Sequence, residues 1–323
     1  MALAVLKFGG TSLSTEVKRE YVYEKIISYK KNYDHIVVVV SAQGREGDPY
    51  ATDTLINLID DQSGKSNKRE IDMIYSCGEI ITASIVASGL CAKGHHSISM
   101  TGWQAGIMTD VNHFDADILS INTKSIRKQL SLGKIIVVAG SQGLTHNGDI
   151  STLGRGGSDT TAVALGSALK AEATIIYTDV EGIMTADPKL IDTAIVIEKA
   201  DFEFCREYSD CGAKVIHNKA ARLAQQMKCN NLYIRSTFLD SQGTKITNQK
   251  GKVFGVACDS NERNVTIVHT YPAKSYENKL ASIVKRHEAV DIRSFNKLFR
   301  FNLPEENFRF SLKEIHNELL GLL

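Results

Sequence analysis

A lysine beside two glycines is the first feature of the chain that could do chemistry. Lys7 is followed by Gly9, Gly10 and two hydroxyl residues in the segment KFGGTS, residues 7–12. Glycine lets backbone N–H groups approach a phosphate, a helix that begins there adds partial positive charge, and the lysine adds a full one. The Walker A pattern G-x-x-x-x-G-K-[ST] is absent, so a phosphate site and a plain tight turn both fit this segment.

An arginine lies between glycines in the segment TLGRGGSDTT, residues 152–161. A guanidinium in such a loop has little to pack against, and it suits bidentate capture of a carboxylate or phosphate. Ser158 and Asp159 follow where a helix is expected to begin, and the N-cap is the commonest role of these residue types. We therefore expect Arg155 to bind an anionic ligand.

A carboxylate inside a helical pattern, Glu79 of the segment SCGE, has two interpretations. Such a side chain is usually a solvated helix carboxylate. Placed near Arg155, it would instead receive an ammonium group, because an amino acid ligand needs one acidic and one basic side chain held apart. The pair is therefore our candidate for binding an α-amino acid.

Two later segments are candidates for binding a nucleotide. Residues 177–189, YTDVEGIMTADPK, follow a predicted buried strand and contain an Asp-Pro turn. Their polar groups could bind a base and a ribose, although a purely structural loop fits as well. In residues 211–218, CGAKVIHN, Lys214 is a candidate second phosphate cation, and His217 is expected to be an ordinary surface histidine.

Short β-branched apolar runs alternate with helical patterns and predict the fold class. Runs without polar alternation are typical of strands buried on both faces of a parallel sheet. We expect strands at 4–8, 36–40, 135–139 and 174–178, and helices at 15–31, 52–60, 68–87, 117–132 and 160–171. The pattern predicts an α/β protein with an open, mainly parallel sheet sandwiched by helices. Ligands bind beyond the carboxyl ends of such strands, which is where the glycine and polar clusters lie.

Length divides the chain into two expected domains. With 323 residues it has room for about two domains, and we place them at 1–255 and 256–323. The second is a small α+β module, with a strand at 264–270, a helix at 276–286, one or two strands within 289–303 and a helix at 312–323.

Composition and charge exclude several classes of protein. Lys and Arg number 38 against 37 Asp and Glu, so the chain lacks the excess positive charge that is typical of proteins that bind nucleic acid or an anionic membrane. No apolar stretch approaches the ~18 residues of a membrane helix, and the first residues lack the basic leader of a signal peptide. Cys-x-x-Cys pairs are absent, which argues against a zinc site. We expect a cytoplasmic protein.

Taken together, these segments resemble the aspartate kinases of the amino acid kinase family. The matching motifs run in the same order over residues 4–257, and GRGGSD and TDVEG are the most diagnostic. The others are KFGGTS, VVVVSAQG, SCGE, TGWQAG, VVAGSQG, GAKVIH and IRST. The resemblance implies transfer of a phosphoryl group from ATP, with Mg²⁺, to L-aspartate, giving 4-phospho-L-aspartate and ADP. That reaction is the first step of the pathway from aspartate to lysine, threonine and methionine, and the resemblance also implies a homodimer.

The resemblance assigns the substrate roles. Arg155 would hold the α-carboxylate of aspartate, and Glu79 would hold its ammonium. Asp159 would orient Lys7 or the substrate ammonium. Further hydrogen bonds to aspartate would come from Ser41, Thr52 and Ser158.

The phosphate and nucleotide roles follow in the same way. Lys7 would neutralise the β- and γ-phosphates and the transition state, assisted by Lys214 and by backbone contacts at Gly9 and Gly10. The metal would be held by phosphates and water, with no protein ligand. The pocket for the rest of the nucleotide would be formed by Thr178, Asp179, Met184, Asp187 and Lys189.

The final residues depart from the family pattern. Aspartate kinases of this type usually carry two small ligand-sensing ACT domains, whereas residues 256–323 leave room for about one and match weakly. We expect a shortened regulatory region, a degenerate or truncated ACT-like module used for dimerisation, and weak or altered feedback by lysine or threonine. Asn218-Lys219 also stands where the family usually has Pro-Arg, and Lys189 where an arginine is common.

Two alternatives stay open. A kinase of the same fold could act on another amino acid or on a pathway-specific acid. Glu79 and Arg155 would bind the α-ammonium and the α-carboxylate, so they do not discriminate between substrates by the length of the side chain. A catalytically silent regulatory or binding subunit would need damaged phosphate residues. In this chain the candidates are all present, namely Lys7, Arg155, Asp159 and Lys214.

Overall fold

The computed structural model describes residues 2–59, 67–213, 216–227, 229, 231–249, 251–259, 263–271 and 273–322. Its elements, in chain order, are β1 (Leu3–Phe8), α1 (Gly10–Leu13), α2 (Glu16–Tyr29), β2 (His35–Val40), α3 (Thr52–Ile56), α4 (Lys68–Ala92), β3 (Ser97–Met100), β4 (Ile107–Thr109), β5 (Ile118–Ile121), α5 (Lys124–Ser131), β6 (Ile135–Ala139), β7 (Gln142–Thr145), β8 (Ile150–Thr152), α6 (Gly157–Leu169) and β9 (Ala173–Thr178). They continue with β10 (Lys199–Asp201), α7 (Phe202–Asp210), α8 (Asn218–Gln226), β11 (Leu232–Ser236), β12 (Thr244–Thr247), β13 (Phe254–Asp259), β14 (Asn264–His269), α9 (Ala273–Arg286), β15 (Val290–Phe295), β16 (Leu298–Asn302) and α10 (Phe308–Leu320).

By packing, the chain forms two compact units. The first comprises Met1–Val180 and Lys219–Ser241, and the second comprises Glu181–Asn218 and Gln242–Leu323. Packing does not decide where a catalytic domain ends, so the division at residue 255 stays a prediction.

A parallel sheet forms the centre of the first unit. Its strands lie in the order β11-β9-β1-β2-β6-β3, and every neighbouring pair is parallel. The four strands predicted from β-branched runs are β1, β2, β6 and β9. Register pairs Lys7 of β1 with Val39 on one side and Ile176 on the other, so these strands end at the same edge and their loops meet there.

Helices cover both faces of this sheet, because successive strand residues point to opposite sides. Ala4, Leu6 and Phe8 pack in one core cluster with residues of α2 and α4. Leu3 and Val5 pack in another cluster with residues of α5 and α6. The layered arrangement confirms the predicted fold class.

Helix α4 is the longest in the described part of the chain and runs beyond the predicted end at residue 87. By length and composition it could cross a membrane, contrary to our expectation that no segment would be long and apolar enough to do so. Half of its most apolar 18-residue stretch is, however, buried inside the protein. Its buried face includes Asp72, Tyr75 and Glu79, spaced three and four residues apart. Such spacing brings side chains to one face of a helix, and here that face carries polar groups into the interior.

The predicted helix over 117–132 is wrong in its first part. Residues Ile118–Ile121 form β5, and a helix begins only at Lys124. β-branched isoleucines favour a strand, and β5 gains an antiparallel partner in β4. Asn122 then accepts a hydrogen bond from the Lys124 backbone N–H at 3.2 Å, which favours a helix start there. The result is a second sheet, β5-β4-β7-β8, in the first unit.

The second unit contains an antiparallel sheet with its own core. Strands β13-β14-β16-β15 form this sheet, and residues of α9 and α10, such as Leu280 and Leu312, pack on its apolar side chains. The predicted order of strand, helix, strands and helix is therefore observed. β13 was not predicted, and the same core also contains Ala186 and Ile191 from earlier in the chain.

Candidate active site

The loops after β1 and β2 pack backbone against backbone at the edge of the sheet. A Cβ added at Gly10 would lie 2.3 Å from the carbonyl oxygen of Ala42, so a side chain there would force the loops apart. Gly9 precedes α1 with extended backbone, and a Cβ on it would lie 3.6 Å from the Lys7 ammonium. The glycines therefore keep backbone close to Lys7.

Lys7 is fixed by an ion pair with the first turn of α6. Its Nζ lies 2.7 Å from Oδ1 of Asp159, and both side chains are largely buried, at 12% and 15% exposed. A partly buried pair of this kind is weakly screened by solvent and holds its geometry better than a surface pair. The lysine is thus presented at one place, beside the start of α6.

Arg155 is held out from the protein by the glycines on either side of it. Gly154 and Gly156 have φ of 75° and 71°, a conformation that residues with a side chain rarely adopt. The Arg155 side chain is 85% exposed, and its Nη2 lies 3.7 Å from Oδ1 of Asp53. Most of its guanidinium is therefore open to an incoming anion, as the sequence predicted.

Glu79 is not a solvated helix carboxylate, since the residue is only 1% exposed. Its Oε1 accepts a hydrogen bond of 3.3 Å from the Ala42 backbone N–H, and its Oε2 has no hydrogen-bond partner among the residues that the structure describes. Burial raises the pKa of this carboxyl to about 8. A buried carboxyl with one unpaired oxygen can receive a cation, whose approach would favour the ionised form.

One cavity of about 340 Å³ joins these groups. It lies entirely within the first unit. It is lined by seven of the predicted residues, namely Lys7, Ser41, Thr52, Glu79, Arg155, Ser158 and Asp159. The structure therefore brings these seven residues together around one cavity, and the predicted pair of Glu79 and Arg155 is among them.

Sequence reasoning missed several residues of this cavity, among them Arg45, Tyr75 and Phe114. Arg45 donates hydrogen bonds from Nη2 to Asp179 at 3.4 Å and from Nε to Thr11 at 3.3 Å. Tyr75 could have been found from its place four residues before Glu79 on the same helix. No local sequence pattern marks Phe114 as a cavity residue. It reaches the cavity on the loop between β4 and β5, and the position of this loop depends on the second sheet.

The predicted nucleotide residues divide between the two units. Thr178 ends β9, and its hydroxyl donates to Oδ1 of the neighbouring Asp179 at 3.2 Å. Met184, Asp187 and Lys189 belong to the second unit, where Oδ1 of Asp187 accepts from the Lys189 backbone N–H at 2.9 Å. Lys214 lies outside the described residues. The nucleotide-binding role of this set stays a prediction.

Comparison with known proteins gives consistent matches. A family model described as the amino acid kinase family matches residues 2–236. The chain is 41% identical over 273 residues to an aspartokinase of Geobacillus stearothermophilus, covering 83% of this chain and 66% of that protein. It is 39% identical over 298 residues to aspartokinase 2 of Bacillus subtilis strain 168, covering 90% and 72%. A crystal structure of an aspartate kinase from Synechocystis has a TM-score of 0.67 and 30% identity, covering 96% of this chain and 54% of that one. The chain thus spans about two thirds of the length of the curated relatives it matches.

Proposed function

The chain belongs to the amino acid kinase family, and from this premise we propose that it is an aspartate kinase. It would transfer a phosphoryl group from ATP to the side-chain carboxylate of L-aspartate, giving 4-phospho-L-aspartate and ADP. The observation that carries the proposal is the shared cavity in which the buried Glu79 and the exposed Arg155 accompany the Lys7–Asp159 ion pair. Such a site offers complementary charges to an α-amino acid and a cation to a phosphate.

The two ends of the amino acid have separate partners in this proposal. Glu79 accepts the ammonium at its unpaired Oε2, and Arg155 pairs with the α-carboxylate through two N–H groups. Hydrogen bonds to aspartate come from Ser41, Thr52 and Ser158. Together they leave the side-chain carboxylate directed toward Lys7.

The chemical step needs no general base, because a carboxylate is already a nucleophile. One oxygen of the aspartate side chain forms a bond to the γ-phosphorus, the bond from that phosphorus to the β–γ bridging oxygen breaks, and ADP leaves with the electron pair. Both reactants are anions, so alignment and charge neutralisation are the main contributions. Lys7 supplies positive charge at the β- and γ-phosphates, and Asp159 holds it in place.

Backbone N–H groups near Gly9 and Gly10 contact the phosphates, and Lys214 assists them. The remainder of the nucleotide is bound by Thr178, Asp179, Met184, Asp187 and Lys189. What supports this part of the proposal is the family match and the type of each residue.

Mg²⁺ fits the cavity as a partner of the phosphates. Among the described residues, no group of three or more His, Cys, Asp or Glu could hold a metal ion, and the Asp159 carboxylate, which lines the cavity, is paired with Lys7. Mg²⁺ commonly keeps several waters and binds through substrate phosphates. When bound there it would neutralise part of the phosphate charge. We further propose that the protein is a cytoplasmic homodimer.

ADP release with candidate acceptors tests the function. L-aspartate, L-glutamate and N-acetylglutamate are each added with ATP and Mg²⁺, and the aspartate reaction is repeated with added lysine and threonine. We expect turnover with aspartate and much less with N-acetylglutamate, because acetylation removes the ammonium that Glu79 binds. Preference for another acid would support the alternative acceptor, and nucleotide binding without any ADP release would support a silent subunit.

A further inference from the structure

A buried carboxylate outside the substrate-contacting set organises one wall of the cavity. Asp72 is fully buried in α4, two helical turns before Glu79. Its partners lie in the segment between β4 and β5, residues 110–117, which we name the wall loop, and in β8. The nearest cavity-lining residue that it contacts is Phe114.

Asp72 holds the wall loop at consecutive residues. Its two carboxylate oxygens lie 3.1 and 3.2 Å from the Phe114 backbone N–H, which donates to them, and its Oδ2 lies 2.7 Å from Nδ1 of His113. The Thr152 hydroxyl donates to Oδ1. A single buried side chain therefore joins α4, the wall loop and the end of β8.

Phe114 needs such an anchor, because its backbone lies in the left-handed region at φ 71°. A bulky residue is uncommon there and persists where the surroundings hold it. Tyr75 packs edge-on against the Phe114 ring, with centroids 6.3 Å apart. Helix α4 thus fixes both the backbone and the ring of this residue.

The wall loop in turn supports the loop that carries Arg155. A Cβ added at Gly154 would lie 2.9 Å from the Phe114 carbonyl oxygen, so the two backbones are in direct contact. The Ser141 hydroxyl lies 3.3 Å from both the Tyr75 hydroxyl and the Gly154 carbonyl oxygen. The position of Arg155 therefore depends on Phe114, whose position depends on Asp72.

We propose that Asp72 is a positioning residue for the amino acid substrate: its contacts with His113, Phe114 and Thr152 set where Arg155 meets the α-carboxylate. This inference rests on the proposed function for the identity of the substrate, although not for the geometry. It predicts a selective effect on the amino acid, because Asp72 touches neither Lys7 nor the loops after β1 and β2 in the contacts above.

Hydrogen exchange of the full chain tests the geometry without catalysis. The Asp72→Asn variant is compared with Asp149→Asn, a control that loses the 2.7 Å ion pair between Asp149 and Arg69 of α4 but leaves the wall loop alone. We expect Asp72→Asn to speed exchange roughly tenfold in residues 110–117 and also in 153–157, and the control to change neither. Unchanged exchange in either segment would overturn the proposal.

Kinetics test the consequence for the substrate. Asp72→Asn should raise the aspartate KM roughly ten- to hundredfold and leave the ATP KM within about twofold. His113→Ala removes one partner of Asp72 and keeps the carboxylate, so it should also raise the aspartate KM, but by less than Asp72→Asn. If the Asp72→Asn protein does not fold, His113→Ala serves as the test. In a Phe114→Gly background, Asp72→Asn should raise the aspartate KM by less than it does in the wild type, because both substitutions act through the contact between Asp72 and residue 114.

Equal rises in both KM values, or full additivity with Phe114→Gly, would refute the positioning role. If the wild-type chain releases no ADP with aspartate, the proposed function fails, and the exchange measurement still decides the inference about Asp72.

Discussion

Replacement of Glu79 by glutamine should stabilise the free protein by an amount that grows with pH. Burial raises the pKa of this carboxyl from its ordinary value of 4.5 to about 8, so between those values the folded chain binds more protons than the unfolded chain. Stability contributed by this group is therefore lost as pH rises. Each pH unit corresponds to about 1.36 kcal/mol, so the 2.5 units up to pH 7 give an upper value of about 3 kcal/mol.

Urea unfolding of wild type and Glu79→Gln at pH 5, 6, 7 and 8 measures this difference. Both chains share every other titrating group, so subtracting one free energy of unfolding from the other isolates Glu79. We expect the free energy of unfolding of the variant, relative to that of the wild type, to increase by up to about 1.4 kcal/mol per pH unit and to level off near pH 8. A difference independent of pH would show that the carboxyl ionises at an ordinary pKa, and it would refute the argument from burial.

The same substitution should weaken binding of the amino acid. A charge-assisted hydrogen bond is worth about 1.5–3 kcal/mol, so we expect the aspartate KM of Glu79→Gln to rise roughly ten- to hundredfold. In the wild type, an ammonium at Oε2 would favour the ionised carboxyl. Aspartate binding at pH 7 should then release a proton, which calorimetry in buffers of different ionisation enthalpy would detect.

Three further substitutions separate the roles of the site. Arg155→Ala should raise the aspartate KM far more than the ATP KM in steady-state kinetics, and equal changes would remove it as the carboxylate partner. Lys7→Ala should lower kcat severely with modest change in either KM, and near-normal turnover would exclude it from the chemical step. Gly10→Ala should lower both kcat and the thermal midpoint, because its Cβ would lie 2.3 Å from the Ala42 carbonyl oxygen; wild-type values for both would show that the loops can separate freely.

The central sheet was predictable because its strands are buried on both faces. Runs such as Ile36–Val40 have no polar alternation, and only a parallel sheet covered by helices buries them fully. The segment 117–132 was not predictable in the same way. Its isoleucines favour a strand but also fit one face of a helix, and the outcome depended on pairing between β4 and β5, which are separated by the wall loop.

The candidate site was predictable where a local sequence pattern determines how a side chain is placed. Glycines on both sides of Arg155 indicated an exposed guanidinium, and its side chain is indeed 85% exposed. Burial of Glu79 could not be inferred, because it depends on packing of α4 beneath the loop after β2. Asp72 left no signal at all: its partners His113 and Thr152 are distant in sequence and meet it only through the second sheet.

A crystal structure with L-aspartate and a non-hydrolysable ATP analogue tests the central claim most directly. The account predicts one amino acid in the cavity, its ammonium within hydrogen-bonding distance of Glu79, its α-carboxylate paired with Arg155, and Lys7 between its side chain and the γ-phosphate. An aspartate bound elsewhere, or bound with Lys7 and Arg155 directed away from the two ligands, would contradict it.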